Sequence, residues 1–214
     1  MSKSLGNVVV PDDVISQYGV DALRFYLSHQ IPVGNDGDFS WARFADIYNG
    51  VLRAQIGNLL NRVLTLLKKE GGKLGSLKAN AVSELRERAQ QDWAQYSVFM
   101  DAFEMHAGIA SVTGATDLSN KLMQKTEPWK KEGTDKTNTL TSFAEALRHI
   151  ALMLLPFTPD TAQKISAQLG VPYADKMLER DFVITDALRQ WGGAEGWTTI
   201  GEPTILFPPV EVEK

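Results

Sequence analysis

Three short stretches of the sequence hold the side chains with the clearest capacity to bind or react. The first is the opening run Met1-Ser-Lys-Ser-Leu-Gly-Asn7, a polar, glycine-containing loop with Lys3 between two serines. An ammonium charge flanked by hydroxyl donors suits contact with a phosphate. The second is the pair Asn58 and Arg62, four residues apart, hence stacked on one side of a helix. An amide and a guanidinium one turn apart offer donors and an acceptor in fixed positions, suited to the exposed base edges of a single-stranded loop. The same pair would equally serve to bond each other or a neighbouring helix end. The third is Lys125-Thr-Glu-Pro-Trp-Lys-Lys131. Pro128 fixes the backbone just before Trp129, and Lys125, Lys130 and Lys131 surround the indole. A stacked nucleotide needs such a π-face with cations near its phosphates, and stacking is worth about 1–3 kcal/mol per base. The alternative is a tryptophan that packs helices, the role expected of Trp93, Trp191 and Trp197.

These groups must be held by the elements around them. Pro11-Asp-Asp13 opens a short helical run that Tyr18-Gly19 breaks, and Asp21–His29 reads as a second, with Leu23 and Leu27 on one face and Ala22, Phe25 and Tyr26 around them. Pro32-Val-Gly-Asn-Asp-Gly37 marks a boundary. A long helix follows, capped by Ser40 and ended by Gly71-Gly72 after Lys68 and Lys69. Leu52, Ile56, Leu59, Leu60, Val63 and Leu67 recur at helical spacing and face a core. Asn58 and Arg62 lie on its flank, roughly 100–140° from the centre of the apolar stripe. Helical patterning resumes from Asn80 to Lys125, with a looser Gly108–Thr116 stretch expected to bend or interrupt it. Glu84, Glu87 and Asp92 read as its solvated face. Thr134–Leu155 and Asp160–Leu169 complete the helices, with Pro156 and Gly170 as stops. Thr198–Ile200 and Thr204–Phe207 are the only plausible short strands in an irregular C-terminal tail. Without strand–helix–strand alternation a parallel sheet is not encoded, and the expected fold is an all-α bundle of about five helices.

Composition narrows the chemistry further. The chain has 214 residues, no Cys and 43% apolar residues, a globular composition without a disulfide scaffold, a thiolate metal site or a cysteine nucleophile. With 22 Lys+Arg against 26 Asp+Glu, the net charge of −4 argues against indiscriminate nucleic-acid binding and against DNA as a partner. The charge is uneven, however. Arg43, Arg53, Arg62, Lys68, Lys69 and Lys73 outnumber Asp46 and Glu70 over 41–73, and four Lys face only Glu127 over 121–131. A polyanion could be met over that limited footprint. No apolar run approaches the roughly 20 residues of a membrane span and no leader opens the chain, so a cytoplasmic protein without a membrane partner is expected. Phosphate-binding loops of the Gly-x-x-x-x-Gly-Lys and Gly-x-Gly-x-x-Gly types, a Gly-x-Ser-x-Gly elbow and a His-Glu-x-x-His helix do not occur. No metal site is expected.

The opening Met1-Ser-Lys-Ser-Leu-Gly-Asn-Val-Val9, followed by a short helix and Tyr18-Gly-Val-Asp-Ala-Leu-Arg24, closely resembles the lysine-serine loop region of class I aminoacyl-tRNA synthetases. Within that class, Ile31-Pro-Val-Gly-Asn-Asp-Gly-Asp-Phe-Ser40, Gly57-Asn-Leu-Leu-Asn-Arg62, Glu127-Pro-Trp-Lys130 and Leu206-Phe-Pro-Pro209 resemble the methionyl-tRNA synthetases. The resemblance runs in order through nearly the whole chain. It implies residues 1–39 as the loop and connecting segment of the catalytic half, and 40–214 as a helical anticodon-binding bundle. Lys3 matches the loop lysine that contacts ATP and its pyrophosphate in the family. Asn58, Arg62 and Trp129 match the positions that recognise the CAU anticodon. Asn61, Arg53 and Lys125 are further candidates for contacts to the RNA backbone, argued from position and charge.

The implied partners are the anticodon stem-loop of methionine tRNA and an N-terminal catalytic domain, with ATP and Mg serving the full-length enzyme and no cofactor in this part. The loop's first lysine would precede Met1, the His-x-Gly-His motif is absent, and Val10 stands where most relatives carry Asp. Met1–Arg24 by itself also fits the isoleucine, valine, leucine and cysteine enzymes. A helical protein-interaction module that keeps the fold without binding RNA is the rival of a different class. Lacking a nucleotide-binding fold, the 214-residue chain is expected to show no ATP–pyrophosphate exchange above background; detectable exchange by the purified chain would overturn that reading.

Overall fold

The computed structural model describes residues 10–210. Helix α1 (Pro11–Tyr18) starts on a proline followed by Asp12 and Asp13 and stops at Gly19, whose φ of 82° no side chain favours. Helix α2 (Val20–Gln30) turns Ala22, Phe25 and Tyr26 inward, while Leu27 points to solvent. The later helices α6 (Met105–Thr126) and α8 (Pro159–Leu169) pack against this helix. From this helix Arg24 donates to the carbonyls of Pro156 (2.8 Å) and Phe157 (2.7 Å), just past the end of α7 (Gly133–Leu154). Asp21 accepts from the Thr161 amide (2.6 Å) in the first turn of α8 (Pro159–Leu169). A cation thus meets the carbonyl-rich end of one helix and an anion the amide-rich start of the next, which fixes the α7–α8 corner.

A continuous helical rod spans residues 41–69. Ser40 caps α3 (Trp41–Ile47) by accepting from the Arg43 amide, and α4 (Asn58–Lys69) ends at Gly71 and Gly72, both with positive φ. Leu52, Ile56, Leu59, Leu60, Val63 and Leu67 are all buried, so the stripe read from spacing is the core face. Between α3 and α4 the backbone widens over Tyr48–Gly57 to bonding between residues five apart.

The Asn80–Lys125 region breaks elsewhere than expected. Helix α5 (Ser83–Asp101) and helix α6 (Met105–Thr126) meet at a turn in which Phe103 takes a left-handed φ of 58°, and Gly108–Thr116 is uninterrupted helix. Gly108 marks a close crossing instead: a Cβ there would lie 2.9 Å from Met100 Sδ. Asp92 also departs from expectation. It is buried and paired with Arg88 at 2.7 Å, whereas Glu84 and Glu87 are exposed.

Helix α7 lies at the centre, in contact with α4, α5, α6 and α8, and from Thr139 to Leu154 every residue is buried. It carries two charges with no exposure at all, Glu145 and Arg148. Arg148 fills its five donor positions: Glu145 takes two at 2.8 and 2.6 Å, and Leu188 O, Gln190 O and Tyr173 Oη take the rest. Glu145 also accepts from the Gly192 amide at 2.6 Å. The irregular tail is thereby tied to α7 by its backbone. Burial disfavours the Glu145 charge, but the Arg148 and His149 hydrogen bonds outweigh it and hold the carboxyl down at about 2.

His149 Nδ1 accepts from Trp93 Nε1 (2.8 Å), which leaves the proton on Nε2 facing Glu145 at 3.2 Å. Beyond α8 the tail contains a short helix α9 (Asp186–Arg189) and no strand among the described residues. The two expected strands find no ladder partner. Thr198–Ile200 makes one isolated bridge, Lys73 with Thr199, and Thr204–Phe207 lies against the rod as an irregular strap that bends at Leu206 and Phe207.

Burial, more than the neighbouring Arg148 charge, lowers the pKa of His149 and keeps the ring neutral in the fold. The unfolded chain binds that proton near the ordinary value of 6.5, so below it the unfolded state holds more protons and stability falls with falling pH. Urea unfolding at pH 7.5 and 5.5 should show a loss of up to about 1.4 kcal/mol per pH unit from this group. His29, also lowered by burial, adds to the slope. His149→Gln should flatten it, and an unchanged slope would exclude the neutral assignment.

Candidate RNA-binding surface

The wide turn of the rod decides which polar residues share a side. In a regular α-helix Arg53 and Asn58 would be rotated by roughly 140°. Here the Asn58 amide donates to Arg53 O, five residues back, and Arg53 comes to lie nearly beneath Asn58. Arg53, Asn58 and Asn61 consequently line one cleft of about 380 Å³, whose opposite wall is the Thr204–Phe207 strap. The strap is pinned at its end. Phe207 is buried and packs edge-on to Tyr48 at 6.0 Å, and Tyr48 Oη donates to Pro208 O at 2.9 Å. Gly57 lies against the Phe207 ring, which a Cβ there would meet in ordinary contact at 3.4 Å.

Asn120 of α6 donates to Gln55 O (3.3 Å) and locks the widened segment to the bundle. Among the described residues, no hydrogen bond or ion pair engages the side chains of Arg53, Asn58, Asn61 or Arg62. Neighbouring polar contacts go to the backbone instead, as those of Asn120 and Tyr48 do. The alternative of a mutual bond or a bond to a helix end is not realised.

Trp129 reaches the same region from α6. Glu127, with a left-handed φ of 43°, ends that helix, and buried Pro128 seats the single turn Pro128–Lys130. The indole is 39% exposed and faces α4, with Arg62 Cζ 5.5 Å from its ring centroid. That is a cation–π pair, worth about 0.5–1 kcal/mol at an exposed site. It fixes the guanidinium without consuming any of its N–H donors.

The other tryptophans behave as packing residues. Trp93 is buried, Trp191 stacks on His149 at 5.7 Å, and Trp197 donates to Leu169 O. The lysines around Trp129 are paired on the surface: Lys125 with Glu84 (3.1 Å), Lys130 with Glu127 (2.7 Å) and Lys131 with Asp135 (3.2 Å). Exposed pairs of this kind are worth about 0–1 kcal/mol, so trading a carboxylate for a phosphate costs little. Lys3 lies outside the described residues.

The structure thus brings Asn58, Arg62 and Trp129 onto one accessible surface, with Arg53 and Asn61 along the adjoining cleft; Lys125 does not line that cleft and is exposed and paired with Glu84. Sequence reasoning missed the strap and Tyr48. The Leu206-Phe-Pro-Pro209 run could be seen as a motif, but nothing in its spacing tells which helix it crosses. No cluster of His, Cys, Asp or Glu able to hold a metal ion occurs among the described residues. No helix among them is long and apolar enough to cross a membrane.

Comparison with known proteins places this geometry in a family. Residues 1–64 match the class I (M) tRNA synthetases, and residues 69–196 match the anticodon binding domain of methionyl tRNA ligase. The methionine–tRNA ligase of Enterococcus faecalis is 37% identical over 224 residues, covering 100% of this chain and 32% of the relative. That of Fusobacterium nucleatum subsp. nucleatum is 33% identical over 222 residues, covering 100% of this chain and 34% of the relative. Among solved structures, Mycobacterium tuberculosis methionyl-tRNA synthetase in complex with methionyl-adenylate superposes with a TM-score of 0.81 at 27% identity. It covers 98% of this chain and 41% of that one. The chain spans about a third of the length of the curated relatives it matches.

Because the Trp129 ring is exposed and Trp93 is sealed in the core, their truncations should separate cleanly. Trp129→Ala should change the unfolding free energy by no more than about 1 kcal/mol, and Trp93→Ala should cost about 3–5 kcal/mol. Chemical denaturation measures both, and global unfolding by Trp129→Ala would make that indole a core residue.

Proposed function

This chain belongs to the family of methionyl tRNA ligase anticodon-binding domains, and from that premise we propose that its Asn58–Arg62–Trp129 surface reads the anticodon loop of methionine tRNA. The observation that carries the proposal is the exposed indole of Trp129 with the Arg62 guanidinium 5.5 Å from its centroid, beside a cleft lined by Asn58. An unstacked base can lie against the indole, while the unengaged amide of Asn58 and the donors of Arg62 meet base edges. Arg53, Asn61 and Lys125 are proposed to contact the sugar–phosphate backbone as it passes the cleft. The wide helical turn and the strap hold these groups in place before RNA arrives, so little ordering is left to oppose binding.

At the level of the whole protein, we propose ATP-dependent joining of methionine to its tRNA in the cytoplasm. Gripping the anticodon positions the distant acceptor end at a catalytic domain. Lys3 would contact ATP and its departing pyrophosphate there, with Mg balancing phosphate charge. We propose the division at residues 39 and 40 as one of task, since α2 shares the core with the bundle.

The test is a filter-binding titration of the chain against anticodon stem-loops that differ by single bases. The CAU loop should bind tightest, with affinity falling as salt rises because phosphate contacts release counterions. Trp129→Ala should weaken that binding by about 1–3 kcal/mol, roughly 5- to 150-fold. Binding the methionine CAU anticodon no better than other anticodons would instead favour the anticodon domain of another class I enzyme. Trp129 fluorescence unmoved by tRNA, with no salt dependence, would favour a protein-interaction module.

A further inference from the structure

A second cleft, of about 450 Å³, opens between the loop that follows α4, the start of α5 and the tail, and the anticodon reading makes no use of it. Trp191 and Trp197 form its aromatic walls, Leu77 an apolar surface, and Lys78 and Arg86 its charged rim, with no acidic residue in the lining. Both cations are exposed. The ion pairs near the start of α5 are Arg88 with Asp92 and Lys125 with Glu84, and they leave Lys78 and Arg86 unpaired among the described residues.

Both rings line the cleft. Trp191 stacks on His149, nearly parallel at 8°, and the Trp197 indole N–H is already spent on Leu169 O at 2.7 Å. The wall is rigid as well: the Gly192 amide is tied to Glu145, and Gln190 O to Arg148, so the segment carrying Trp191 is anchored on buried charges.

Flat apolar walls with two unpaired cations at the mouth match an aromatic ring that bears an anionic group. We propose that this cleft binds a nucleotide unit, with the base against Trp191 and Trp197 and the phosphate between Lys78 and Arg86. The occupant is either a free nucleoside monophosphate or an unpaired nucleotide of bound RNA, and the chemistry of recognition is common to both.

Calorimetric titration of the full 214-residue chain with adenosine monophosphate, adenosine and inorganic phosphate tests the free form. Trp129→Ala, titrated with a short unstructured oligoribonucleotide, tests the RNA form with the anticodon surface disabled. The monophosphate should bind saturably and at least about tenfold more tightly than either adenosine or phosphate, as expected when stacking and charge act together. The Lys78→Glu, Arg86→Glu double variant should lose at least about tenfold of that affinity with its melting temperature unchanged, since both side chains are exposed. Binding of the oligonucleotide but not of the monophosphate, with the same loss in the charge variant, would assign the cleft to RNA. The proposal is overturned if neither probe binds, if the charge variant binds as well as the parent, or if phosphate alone binds as tightly as the monophosphate. Anticodon stem-loop binding by the charge variant remains intact where only this proposal fails, which separates it from failure of the anticodon reading.

Discussion

Glu145 and Arg148 sit in the middle of α7 with no access to water, and a charge in that position is tolerated only when each of its hydrogen-bonding sites is filled. The pair fills some of them mutually, but a guanidinium has more donors than one carboxylate can accept. The remainder are taken by Tyr173, Leu188 O and Gln190 O, and the carboxylate in turn takes the Gly192 amide. The tail has little regular structure of its own, so these bonds substitute for a helix or sheet in giving its middle a fixed course. Removing either charge would strand the other, which makes the arrangement cooperative.

From that anchor the tail runs back across the bundle. It pairs Lys73 with Thr199, seats Trp197 against the end of α8, brings Glu202 to Lys68, and lays Thr204–Phe207 along the widened rod. The cleft beside Asn58 has two walls only because of this return. The other wall depends on the wide helical turn, which carries Arg53 round to the side of Asn58. Long-range tethering and a local departure from regular helix geometry therefore meet at the same place, and together they fix both walls of the cleft.

The Arg62–Trp129 contact has a further consequence for recognition. A cation held over one face of an exposed indole is desolvated little and keeps its N–H edge free, so the ring and the donors are offered to a ligand together. The surrounding lysines rest in weak surface pairs with carboxylates of their own, which a phosphate could replace at little cost.

The sequence alone determined the all-α class, the long rod and its buried stripe, the caps at Ser40 and Gly71-Gly72, and the pairing of an amide with a guanidinium one turn apart, because these rest on periodicity and on interactions a few residues in range. It misjudged Asp92 and Gly108, whose surroundings come from other helices: polarity alone suggested solvent for Asp92, and glycine content suggested a bend where a close crossing lies. Only the tertiary structure decided that Trp129 meets Arg62 across 67 positions of chain, that Arg53 turns toward Asn58, and that the Phe207 strap closes the cleft. Such contacts join segments whose local patterns carry no information about each other, and they are fixed by burial and by the need to satisfy buried polar groups across the whole fold.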